Sequence, residues 1–227
     1  MQIEQASIGN RLLASLSHDD FALFAPDLVR ADLPRRALLS SPEQSIKYCW
    51  FPEDGIASMV ATSRDGQETE AGIIGREGMT DIAIILGAPR TPLRTFIQIP
   101  GKGLRIPVRT MISAYAASDS VRSAFNLFAF ELLCQIAQTA LANASYSVEQ
   151  RLARWLLMCA DRLNGEEIAL THEFLSVMLN VRRAGVTLAI QSLQSAGYLE
   201  SQRGSVRIIN RSGLEGFAKD AYTAPSF

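Results

Sequence analysis

A chain of 227 residues that is 48% hydrophobic and 20% charged, with a formal net charge of −1, has the composition of one or two folded domains and excludes a disordered protein. Near-neutrality also excludes coating of nucleic acid or membrane by bulk charge, while leaving a local basic face open. The three cysteines, Cys49, Cys134 and Cys159, are far apart; they give neither a disulfide framework nor a C-x-x-C redox or zinc motif, and they suit a reducing cytoplasm.

The amino terminus, Met1 to Gln5, lacks a basic run followed by an apolar stretch, so no secretory signal is expected. From Ala37 to Val108 the pattern predicts short strands. Gly55 to Thr62 is one, Ser63-Arg64-Asp65-Gly66 is a hairpin signal, and Gln67 to Ile74 is the return strand. Leu93, Thr95, Ile97 and Ile99 alternate with Arg94, Phe96 and Gln98, the period of a half-buried strand. Pro100-Gly101 then turns the chain into a strand over Leu104 to Val108. Regular short strands of this kind predict a small barrel or sandwich.

After Val108 the texture changes. No Gly or Pro occurs from Arg109 to Asn164, and apolar residues recur at helical spacing. Val121, Phe125, Phe128, Leu132, Gln135, Thr139 and Ala142 form a heptad-like stripe. It reads either as one face of a core helix or, more sharply, as a dimer interface, because a second set (Leu127, Phe130, Leu133, Cys134, Ile136, Ala137) can face the protein's own sheet. The longest uncharged run, Leu132 to Val148, is interrupted by Gln135, Gln138, Asn143 and Ser145 and is too short to span a bilayer, so no membrane partner is expected. Asn143 to Ser147 breaks the pattern and marks a boundary. The domains are therefore read as 1–117, 118–146 and 147–227.

The last third reads helix, helix, turn, helix, hairpin. Leu170 to Leu179 fits a short helix with Thr171 as N-cap and Glu173 in the first turn. Asn180 suits a left-handed turn residue, and Arg182 to Gln194 resumes a helix with Val186, Ile190 and Leu193 apolar. Two helices with so short a turn make a helix-turn-helix. Arg182, Arg183, Thr187 and Gln191 on the other faces of the second helix carry chemistry suited to base edges. Gly197 to Ile209 reads as a hairpin with its tip near Arg203-Gly204, a wing whose Arg203 and Arg207 would contact phosphates. Between Phe174 and Arg211 stand five arginines and one glutamate, a basic face in a near-neutral chain. His172-Glu173 begins like a zinc H-E-x-x-H, but Ser176 removes the second ligand. No metal, cofactor or enzymatic role is expected, since no nucleophile elbow, phosphate loop or carboxylate pair is present.

The order of β-domain, long helix and winged helix-turn-helix resembles the cyclic-AMP receptor protein and fumarate–nitrate reduction regulator (Crp/Fnr) superfamily. The anchors are Tyr48-Cys49-Trp50-Phe51 leading to Gly55, the loop Gly75-Arg76-Glu77-Gly78, the pair Arg94-Thr95, and Leu170 to Leu193. The resemblance implies an α+β chain: a cyclic-nucleotide-binding-like β-barrel (jelly roll), a long central dimerisation helix and a carboxy-terminal winged helix-turn-helix. It implies a homodimeric transcription regulator on near-palindromic duplex DNA, with RNA polymerase as partner if it activates. Gly75, Arg76, Glu77, Gly78, Arg94 and Thr95 would form the effector pocket for an unknown small molecule. Arg76 stands where cyclic-AMP-responsive relatives have their ribose-binding glutamate, and Ile136-Ala137 replace the Thr-Ser pair that meets the purine, so the expected effector is not cyclic AMP. Arg183 falls at the family's guanine-reading arginine, while Ala184 and Leu188 replace an acidic reader and a later arginine. The other reading is a ligand-binding or protein-binding signalling module that no longer binds DNA.

Overall fold

The computed structural model describes residues 3–163 and 167–224; Met1 and Gln2 of the amino-terminal segment lie outside the described residues. Two short helices open the chain, α1 (Arg11–Ala14) and α2 (His18–Ala22), with Asn10 and Ser17 side chains accepting from the backbone N–H groups of Leu13 and Asp20. Seven strands follow: β1 (Val29–Leu33), β2 (Leu38–Ser40), β3 (Tyr48–Pro52), β4 (Ile56–Thr62), β5 (Glu68–Ile74), β6 (Arg94–Ile99) and β7 (Gly101–Pro107). Next come α3 (Val108–Ala117), α4 (Asp119–Ser145) and α5 (Val148–Ala160). The chain ends with β8 (Glu167–Ala169), α6 (His172–Met178), α7 (Arg183–Ser195), β9 (Leu199–Gln202), β10 (Ser205–Ile208) and α8 (Arg211–Ala218). This is the expected α+β order of β-rich domain, long helix and winged helix-turn-helix.

The described chain divides into two compact units, Met1–Ala61 with Gly72–Cys134, and Thr62–Ala71 with Gln135–Phe227. The strands of the amino-terminal half form two sheets, β1-β7-β3 and β2-β6-β4-β5. The Asp65-Gly66 signal sits between β4 and β5 as expected, with Gly66 at φ 83° and Ser63 N–H donating to the Gln67 carbonyl at 2.9 Å. Strand β7 begins at Gly101, earlier than the Leu104 expected from the pattern. Gly101 is needed there because a Cβ would lie 2.3 Å from the Asp54 carbonyl oxygen. Two strands have no clear mark in the sequence. β1 mixes Arg30 and Asp32 with its apolar residues, and β8 is only three residues long.

Strand β6 departs from the half-buried expectation, since Phe96 and Gln98 are buried as fully as Thr95 and Ile97. One polar group on its second face is partnered inside the protein: Ser58 Oγ donates to Gln98 Oε1 at 2.9 Å, while Gln98 Nε2 is buried without a hydrogen-bond partner among the described residues. Alternation in the sequence therefore marks a change of hydrogen-bonding chemistry here and not a change of solvent exposure.

Helix α4 reverses the two stripes assigned from sequence. Val121, Phe125, Phe128 and Leu132, expected on a dimer face, are buried in the first unit. Phe125 stacks on Phe24 with ring centroids 5.7 Å apart and meets Phe51 edge-on at 6.2 Å. Leu127, Phe130 and Leu133, expected against the protein's own sheet, are instead 59%, 60% and 60% exposed. Of the remaining stripe residues, Gln135 and Thr139 are half-buried and take hydrogen bonds from Arg154 through the Gln135 carbonyl and Thr139 Oγ1, at 3.3 and 3.1 Å. Periodicity fixes the spacing of both stripes equally; the aromatic partners Phe24 and Phe51 decide which one turns inward.

By length and composition α4 is also long and apolar enough to cross a membrane. The uncharged run begins only after Glu131, but the helix continues through that residue in both directions. A helix with Phe125 and Leu132 in a protein core presents only its other side to any partner.

In the second unit α5 starts at a complete capping box between Ser147 and Gln150 and buries Leu152, Leu156 and Leu157. Trp155 Nε1 donates to Glu70 Oε1 at 2.9 Å with both residues buried. Burial lowers the neighbouring Arg154 guanidinium to a pKa of about 10, against the opposing pull of the Glu70 charge.

Two glycines test this packing in opposite directions. Gly101→Ala forces a methyl group against backbone that has no rotamer to escape into, and lowers stability by about 3 kcal/mol. Gly216 lies in α8 with nothing within 4 Å of a built Cβ, so Gly216→Ala raises stability by about 0.5–1 kcal/mol. Urea denaturation midpoints for the two variants check both signs.

Candidate nucleic-acid interface and effector loop

Thr171 is the N-cap of α6, its hydroxyl accepting from Phe174 N–H at 3.3 Å. The turn to α7 passes through Asn180 at φ 48°, the left-handed conformation expected of it. Helix α7 starts at Arg183, with Arg182 in the extended N-cap position and without a side-chain cap bond. Val186, Ala189, Ile190 and Leu193 are buried, which turns Ala184, Leu188 and Gln191 outward along one face, with Arg183 and Thr187 on its flank.

Two contacts tie this face to α6. Arg183 reaches Glu173 at 3.2 Å. Thr187 Oγ1 donates to the Arg183 carbonyl at 3.1 Å, and His172 Nδ1 lies within hydrogen-bond distance of that Thr187 hydroxyl, at 3.1 Å. Glu173 and His172 thus organise the recognition helix. Sequence spacing alone does not reveal that role, because each partner lies across the turn on the other helix.

The wing forms as expected. β8, β10 and β9 make a three-stranded sheet, with Arg203-Gly204 at the tip and Gly204 at φ 87°. The charge count needs correction in space. Arg207 pairs with Glu200, directly opposite it in the ladder. Arg211 bonds Asp161 at 2.6 Å and Glu215 at 2.8 Å, and Tyr222 completes the cluster by donating to Asp161 at 2.8 Å. Burial works against the Arg211 charge, but the hydrogen bond and charge of Asp161 more than offset it and raise its pKa. Arg183, Arg207 and Arg211 therefore already meet carboxylates, of which Glu200 alone falls between Phe174 and Arg211 in the sequence. Arg182 and Arg203 remain exposed, at the start of α7 and at the wing tip.

In the first unit, the Gly75–Gly78 loop is tightly closed. Glu77 is buried, and both its carboxylate oxygens accept from Gly75 N–H at 3.1 Å. A Cβ on Gly78 would lie 1.9 Å from the Phe128 ring, so that ring lies directly on the loop. The Arg76 carbonyl accepts from Arg11 N–H at 2.6 Å. Arg94 and Thr95 lie on β6, which β4 separates from β5; Arg94 stacks over Phe96 at 4.8 Å, and Thr95 is buried. The strands that carry the two halves of the expected pocket are thus not neighbours, and Phe128, expected at a dimer face, serves this loop.

Residues 150–217 match the model of the Crp-like helix-turn-helix domain. No curated protein sequence matches the chain. Among solved structures the chain is similar to FixK2 from Bradyrhizobium japonicum, at 15% identity and a TM-score of 0.72 over 88% of this chain and 99% of that one. It is similar to CLP, the c-di-GMP-responsive global regulator of Xanthomonas campestris, at 15% identity and a TM-score of 0.67 over 85% and 99%. A CRP-family transcriptional regulator from Thermus thermophilus aligns at 13% identity and a TM-score of 0.66 over 83% and 96%. Likeness at these identities is likeness of fold.

The ion-pair pattern separates the two wing arginines. Arg203→Ala lowers affinity for every duplex sequence alike and flattens the slope of log affinity against log salt by about 0.9 for each phosphate it ceases to neutralise. Arg207→Ala, whose guanidinium already rests on Glu200, changes that slope by less than about half as much. Binding measured over a salt series checks this; equal slope changes would show that Glu200 releases Arg207 on DNA.

Proposed function

Because this chain carries a Crp-like helix-turn-helix domain on the Crp/Fnr-like fold, we propose that it is a sequence-specific transcription regulator that binds duplex DNA as a homodimer. The observation that carries this reading is the outward face of α7, held to α6 by the Arg183–Glu173 pair and flanked by a wing with Arg203 at its tip. The working division is a sensor over 1–117, a dimerisation helix and hinge over 118–146, and a DNA-binding head over 147–227. The chain acts in the cytoplasm, has no catalytic role, and works with RNA polymerase if it activates.

The dimer forms through the exposed stripe of α4. Leu127, Phe130, Cys134, Ala137 and Leu141 follow steps of three and four on the solvent side, the spacing of a coiled-coil seam. Two copies joined there present two recognition helices to half-sites about 34–36 Å apart on a near-palindromic operator. A gel-shift series on genomic fragments at increasing salt tests the DNA-binding reading. Absence of any salt-dependent complex would refute it.

The effector is a small molecule other than cyclic AMP. Glu77 is committed to Gly75 N–H and Phe128 lies over Gly78, so a ribose hydroxyl meets no open carboxylate. Ile136 and Ala137 offer no polar side chain to a purine.

Charge placed on either side of α4 has a different result. Phe130→Asp puts it in the dimer seam and gives folded monomers with weakened operator binding, whereas Phe128→Asp strikes the core of the first unit and lowers its thermal stability; sedimentation and calorimetric melting separate the two. Cyclic AMP binds more weakly than low-micromolar affinity by about one to four decades, since two lost partners cost about 1–3 kcal/mol each. Titration calorimetry with the purified dimer checks that value.

A further inference from the structure

Leu188 is 65% exposed, more than any other large hydrophobic side chain among the described residues, Leu86 at 63% included. It sits at the middle of the outward face of α7, between Ala184 one turn before and Gln191 one turn after. The polar groups beside it are already engaged. The Arg183 guanidinium reaches Glu173, and the Thr187 hydroxyl donates to the Arg183 carbonyl. The central face is therefore methyl, isobutyl and carboxamide.

We propose that Leu188 reads the 5-methyl group of a thymine in the major groove, and that Gln191 reads an adenine in the adjacent base pair, so that each half-site centres on A·T pairs. The inference rests on the DNA-binding reading above and specifies what that interface recognises. Thymine is the only base to offer an apolar group in the major groove. Against a G·C pair, Leu188 would cover the guanine and cytosine polar edges without replacing the hydrogen bonds of water, so selection comes from that penalty as well as from methyl contact. Gln191 completes the assignment, because a carboxamide can both donate to adenine N7 and accept from its N6 amine. The helical rise supports neighbouring pairs: three residues advance about 4.5 Å, against about 3.4 Å per base-pair step.

The test uses the full-length protein. Sites are first selected from random duplex DNA, and each thymine of the selected half-site is then replaced by deoxyuridine, which removes only the methyl group. At one symmetric position the replacement weakens the wild type about fourfold per methyl group, or roughly 15-fold for both half-sites. The same replacement changes the affinity of Leu188→Ala by less than about twofold, since the side chain that sensed the methyl is gone. Leu188→Gln keeps the length of the side chain and also loses the uracil effect. Because Leu188 packs into no core, circular dichroism melting of both variants matches the wild type. Equal uracil sensitivity in wild type and Leu188→Ala, or selected half-sites without a methyl-sensitive thymine, overturns the assignment while leaving the regulator reading intact. Failure of the wild type to select any sequence or to form a salt-dependent complex overturns both.

Discussion

A 27-residue helix that is apolar on opposite sides has to be covered twice, and α4 is such a helix. Its inner side is covered by the chain itself: Phe125 locks between Phe24 and Phe51, and Phe128 lies on Gly78. The outer side carries Leu127, Phe130 and Leu133 at exposures that a monomer in water does not favour. One helix therefore joins two problems. The residues that pack on the Gly75–Gly78 loop and those left exposed alternate within the same few turns, so Phe128 and Phe130, two positions apart, belong to different surfaces. A rotation of α4 that moved Phe128 off Gly78 would also turn Phe130, so the loop and the exposed stripe move together.

The head was legible in the sequence where local chemistry decides structure. Thr171 caps, Asn180 turns left-handed and Arg203-Gly204 makes a tip, and each acts within a few residues of itself. Direction was not legible where two answers share one period. The stripes through Phe125 and through Phe130 have the same spacing, and only aromatic partners far earlier in the chain distinguish inside from outside. Gln98 misled for a related reason: a polar residue in an alternating strand signals solvent, yet Gln98 is buried with its oxygen on the Ser58 hydroxyl and its amide nitrogen unpartnered among the described residues. The Gly75–Gly78 loop lies between these cases. Its glycines were found, but the turning of Glu77 onto Gly75 N–H is a three-dimensional event with no sequence mark of its own.

Charge at the head shows the same limit with a different outcome. Counting arginines along the chain suggests a strongly basic face, whereas Glu173, Glu200, Asp161 and Glu215 each take up one of them or share it. Such pairs are worth little as exposed stabilisers. Their effect is local: Arg183 meets Glu173 across the helix-turn-helix while its side chain stays exposed.

The two tryptophans of the chain sit in opposite surroundings. Trp50 belongs to the first unit, half-buried, with Tyr48 edge-on at 6.3 Å and the Arg105 guanidinium 5.6 Å from its ring. Trp155 belongs to the second, enclosed and hydrogen-bonded to the Glu70 carboxylate. Intrinsic fluorescence thus has one source in each unit, in optically distinct environments: a water-touched, cation-stacked indole emits to the red of an enclosed one. The molecule carries a separate built-in dye for each of its two units, and the colour of each reports on its own unit without any label.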